Sequence, residues 1–81
     1  MMVRSLFFAQ YRDMAGAGEL PVELPEGASV GDLVSALRGR AGGLASLPAK
    51  PVVAVNMDYA PLATRLSEGD EVAFIPPVAG G

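Results

Sequence analysis

The stretch "PEGASVGDLVSALRGR", residues 25–40, decides the fold. Pro25-Glu26-Gly27 is turn chemistry. Ser29 is a good N-cap, and Asp32 three residues on makes a weaker form of the capping box. Val30, Leu33, Val34 and Leu37 then fall at i, i+3, i+4 and i+7, one apolar stripe along a helix. Gly39, Gly42 and Gly43 end it. One amphipathic helix has one face to bury, so the rest of the chain must supply a surface for it.

That surface is read on both sides of the helix. Val3 to Phe8 predict a strand. "AQYRDMAG" (residues 9–16) predicts a turn of helix or an irregular link, closed by Gly16 and Gly18. "ELPVELP" (19–25) alternates, with Leu20, Val22 and Leu24 on one face and Glu19, Pro21 and Glu23 on the other, a half-buried strand. Pro21 has no N–H to give to a ladder, which favours a sheet edge. The first two strands suggest an antiparallel hairpin. Beyond the helix, "GLASLP" (43–48) has room for a short helical turn. "VVAVN" (52–56) is a β-branched run of the kind that fills a buried strand. A short strand is expected near Tyr59. Ser67 to Asp70 predict a turn, and Glu71 to Ile75 a last strand stopped by Pro76.

The expected order is strand, strand, helix, strand, short strand, strand. A mixed sheet with one main helix across one face accounts for it. In so short a chain no second layer is left for the other face. This α+β arrangement is the ubiquitin-like β-grasp, favoured over another small roll with the same element order. The expected division is a β-grasp domain over residues 1–76 and an extended tail over 77–81.

Composition narrows the function. The chain has 81 residues, about half of them apolar, and a net charge of -3. Its six Lys and Arg are scattered, which gives no footprint for nucleic acid. No apolar run approaches a membrane span, and the start does not read as a signal peptide. A cytoplasmic protein is expected. There is no cysteine and no histidine. That removes the disulfide, the thiolate nucleophile, the imidazole base and the usual borderline metal ligands. A self-sufficient enzyme is unexpected on this inventory.

Period two sorts the strands into faces. Val3, Ser5 and Phe7 should meet the helix, with Val72 and Phe74. Arg4, Leu6 and Phe8 should point outward, with Glu71, Ala73 and Ile75. The uncovered face would carry Leu6, Phe8 and Ile75 together, with Tyr59 nearby, and such a cluster suggests docking. The alternative is that the loop from Asn56 to Arg65 folds over these side chains and hides them.

The sequence closes on "FIPPVAGG", residues 74–81. A Gly-Gly ending alone fits a passive tail. Yet "LFFAQYRDMAG", "SVGDLVSAL", "VAVN" and above all "LSEGDEVAFIPPVAGG" resemble the small subunits of molybdopterin synthase (MoaD), a family of ubiquitin-like sulfur carriers. The resemblance covers almost the whole chain, and the middle "RGRAGGLASLPAKP" adds nothing to it.

The resemblance implies a division of labour. An adenylyltransferase related to ubiquitin-activating enzymes would use ATP to adenylate the Gly81 carboxylate, and sulfur would replace AMP to give a thiocarboxylate. The large synthase subunit, expected with this one in a heterotetramer, would receive the tail. There the sulfur would pass to cyclic pyranopterin monophosphate to form molybdopterin. No cofactor is expected on the chain itself. Gly81 would carry the sulfur and Gly80 would be its partner in the motif. Phe8, Tyr59 and Ile75 fall where the family has apolar contacts, and Arg12 matches a family Arg of possible contact.

Physical chemistry fits this assignment. An α-carboxylate is ionised at neutral pH and is a poor electrophile; a mixed anhydride with AMP is a good one. Glycines at 80 and 81 present no Cβ to a narrow channel. Pro76 and Pro77 hold the approach extended, which lowers the entropy lost on threading; they also simply end a strand. Residues 76–81, with Val78 and Ala79 completing the approach, reach about 20 Å at roughly 3.3 Å each. Three other functions stay open: a carrier for thiamine or tRNA thiolation, a ubiquitin-like protein modifier, and a plain interaction module. Thiamine carriers tend to be shorter and to lack the Phe-x-Pro-Pro approach.

Overall fold

The computed structural model describes residues 1–77. In chain order they form β1 (Met2–Phe7), α1 (Ala9–Ala15), β2 (Glu19–Glu23), α2 (Val30–Arg38), a 3-10 turn (Gly43–Ser46), β3 (Val52–Val55), β4 (Asp58–Ala60) and β5 (Glu71–Ile75). The five strands make one sheet in the order β2-β1-β5-β3-β4. The central pair, β1 and β5, is parallel, with Ser5 opposite Val72 and Phe7 opposite Phe74. The other pairs are antiparallel. This is the mixed sheet of the β-grasp. β2 lies at the edge, where Pro21 costs no ladder bond.

The capping box on α2 is complete. Ser29 Oγ accepts from the Asp32 amide, and Asp32 Oδ2 accepts from the Ser29 amide. Val30, Leu33, Val34 and Leu37 are all buried. They share a core with Val3, Phe7, Val22, Val53, Val72 and Phe74 from the inner face of the sheet. The Phe7 and Phe74 rings stack there at 5.3 Å between centroids, within the range of favourable aromatic pairs.

Three expectations need revision. The link after β1, expected as a turn of helix or an irregular link, is a regular helix of seven residues, α1. Its entry is sharp: Phe8 keeps an extended backbone and caps the helix, and Ala9 takes a positive φ of 49°. The first strand therefore ends at Phe7, not Phe8. The "VVAV" strand is not buried throughout, since Val52 is 56% exposed. With helices on one side of the sheet only, alternate residues of even an all-apolar strand meet solvent.

The loop from Asn56 to Arg65 does not cover the outer face. Its backbone goes to α2 instead. Thr64 O accepts from the Val30 amide and Leu62 O from the Gly31 amide, both at 2.9 Å, and Ser29 bridges Arg65. The first amides of a helix have no partner within it. Here the loop supplies two of them, which draws it away from the sheet's open side.

Candidate functional site

The outer face is built by strand register. Leu6 lies opposite Ala73, Ala73 opposite Ala54, and Ala54 opposite Tyr59. These four share one row across four strands. The next row pairs Ile75 with Val52. Phe8, one residue past the β1–β5 register and still extended, lines up with Ile75. Phe8 is 49% exposed and Tyr59 is 77% exposed, while Leu6, Ala73 and Ile75 are half-buried. Apolar side chains thus run from the end of β5 toward the β3–β4 edge without a covering layer.

The two ends of this face differ. At the start of β5, Arg4 forms an ion pair with Glu71, and its other guanidinium nitrogen lies 3.7 Å from Glu19. Asn56 donates to Asp70 and accepts from the Glu71 amide, both at 3.0 Å. At the other end, where β5 leads into the tail, Tyr11, Pro48, Pro51, Val52, Ile75, Pro76 and Pro77 wall a shallow hollow together with Lys50. A second hollow, between β3 and β4, includes Tyr59 and Pro61 and again Lys50.

The structure therefore brings together Phe8, Ile75, Pro76 and Pro77, with Tyr59 at the far edge of the same face. Arg12 is placed elsewhere: it is exposed on α1, and a Cβ built on Gly18 would come within 3.8 Å of its Nε. Its side chain lies against the α1–β2 link. Val78, Ala79, Gly80 and Gly81 lie outside the described residues. Val52 and Lys50 were missed. The alternation of residues 52 and 54 would have found Val52, since it puts both on the face of Tyr59. Lys50 left no signal, because it precedes the strand and obeys no period.

Comparison with known proteins agrees with this geometry. The model of the ThiS family matches residues 5–81. A molybdopterin synthase sulfur carrier subunit from Chlamydomonas reinhardtii is 37% identical over all of both chains. The chain belongs to the ThiS family, among the molybdopterin synthase sulfur carrier subunits. Solved relatives of this ThiS-family fold include SAMP1, a small archaeal modifier protein from Haloferax volcanii, with a TM-score of 0.86 at 31% identity and full coverage of both chains. They also include a complex of subunits 1 and 2 of the molybdopterin-converting factor from Helicobacter pylori, with a TM-score of 0.72, 26% identity and full coverage of both chains. The ubiquitin-like β-grasp of this ThiS-family chain is thus matched over its whole length.

Proposed function

We propose that the chain is the sulfur carrier of molybdopterin synthase, with the Gly81 carboxylate as its working group. The observation that carries this is the open apolar face along β5, the strand that leads into Pro76, Pro77 and the Gly-Gly ending, on a chain of this family. In the proposed cycle an adenylyltransferase joins the Gly81 carboxylate to the α-phosphorus of ATP and pyrophosphate leaves. Sulfur at the level of hydrosulfide then attacks the carbonyl carbon, the bond to AMP breaks, AMP leaves, and a thiocarboxylate results. The large synthase subunit docks on Phe8, Ile75 and Tyr59 and takes residues 76–81 into its channel. There the thiocarboxylate sulfur bonds to cyclic pyranopterin monophosphate, water attacks the Gly81 carbonyl carbon, the carbon–sulfur bond breaks and the carboxylate returns.

The assignment needs no acid, base or metal from this chain, in keeping with the absence of Cys and His. Among the described residues no helix is long and apolar enough to cross a membrane. A heterotetramer working in the cytoplasm, where ATP is at hand, completes the reading. The first test is an intact mass after incubation with the activating enzyme, ATP and a sulfur source. A chain heavier by one sulfur-for-oxygen exchange is expected, and deletion of Gly81 should abolish it. No exchange in the full chain rejects the carrier. Reconstitution with the large subunit and the pterin precursor tests the acceptor; failure to form molybdopterin from the charged protein rejects it.

The likeness to SAMP1 favours one second reading, a modifier whose Gly81 ends in an isopeptide bond. It uses the same activated carboxylate. Gly-Gly remnants on lysines after proteolysis would establish it, and none would remove it.

A further inference from the structure

Lys50 is the only lysine in the chain. It lines both hollows that flank the start of β3, and every other residue lining them is uncharged. One hollow is walled by Pro76 and Pro77 where the tail departs. Lys50 is exposed, and it makes no ion pair among the described residues. A lone cation therefore stands at the tail end of an otherwise apolar surface. Away from the tail, the Arg4 guanidinium meets the carboxylates of Glu71 and Glu19, and Asp70 lies at the start of β5, so the face is polarised along its strands.

We infer that Lys50 is a specificity-determining contact, and that the tail-receiving large subunit presents a carboxylate to it at the mouth of its channel. The inference rests on the docking reading above. When a partner covers the hollow, the Lys50 stem can lie along Pro51 and Val52. Its ammonium must then leave water, which is unfavourable without a counter-charge. A carboxylate beside the channel supplies that charge. It also fixes orientation, because reversing the docking would bring the carboxylate against the acidic end. The pair thus tells the partner which end of the face holds the tail.

The test is the affinity of the large subunit for Lys50→Met and Lys50→Glu, both as chemically prepared thiocarboxylates, so that activation plays no part. Lys50→Met keeps the apolar stem and removes the charge. It should weaken binding by about tenfold or more, and Lys50→Glu by about a hundredfold or more. Unchanged thermal midpoints establish that both variants fold. A large subunit with its channel-mouth Asp or Glu changed to Lys should recover binding of Lys50→Glu. Lys50→Met binding within about twofold of the unaltered protein overturns the inference, whatever Lys50→Glu does. The unaltered thiocarboxylate is run alongside. If it makes no molybdopterin, the carrier reading fails; if it does and Lys50→Met binds normally, only the Lys50 contact fails.

Discussion

Ser5 shows how far a single residue can be read. Alternation put it on the inner face, and the structure buries it fully there. Its hydroxyl has no hydrogen-bond partner among the described residues, which alternation cannot reveal, since partners come from strands distant in sequence. A buried hydroxyl without a partner destabilises. Ser5→Ala should raise the unfolding free energy by about 1 kcal/mol in urea titration, with sulfur charging unchanged. Gly43 makes the opposite case. A Cβ there would overlap the Met14 carbonyl oxygen, so the 3-10 turn meets α1 backbone to backbone. Gly43→Ala should lower stability by about 1–3 kcal/mol in the same titration. The sequence offered Gly43 as a helix stop and as the start of a short helical turn; its approach to Met14 is a tertiary contact that neither reading contains.

At the scale of elements, legibility followed local chemistry. α2 could be read residue by residue, since its stripe and its cap lie within one short window. α1 could not. Its N-cap, Phe8, has no side-chain hydrogen bond, and Tyr11 is its only fully buried residue, so neither a cap nor a stripe marks it. β4 was seen only as a short strand near Tyr59, because three residues carry too little alternation. The turn before it is a two-residue hairpin in which Asn56 and Met57 both have positive φ, 48° and 75°. Asn tolerates this region and Met does not. Met57→Gly should therefore stabilise the hairpin by up to about 1 kcal/mol, read as a higher thermal midpoint. A lower midpoint would show that Met57, although exposed, contributes more than its backbone strain costs.

For the whole molecule, the decisive point is that one layer of helices covers one face of the sheet. The sequence implied this through chain length and helix count, and it implied an apolar outer face through period two. It left open whether the loop from Asn56 to Arg65 would cover that face, because the unpartnered amides of α2 that hold the loop are a tertiary matter. An open face used for docking predicts a separation of affinity from stability. Ile75→Asp should weaken large-subunit binding by about a hundredfold, since hot spots at an apolar interface centre typically cost 2 kcal/mol or more. The thermal midpoint should move little, because Ile75 is half-buried at the end of β5. Equal affinity for the Ile75→Asp protein, measured by calorimetry, would place docking elsewhere.

The position of β5 has a mechanical consequence. It lies between β1 and β3, bonded on both sides. Tension applied through residues beyond Ile75 runs along the strand, across its ladder bonds rather than in line with them. All those bonds carry the load together, in shear, and none opens first as the teeth of a zipper would. A partner can haul the end of the chain taut into its interior, and the strand will hold like an anchored cable.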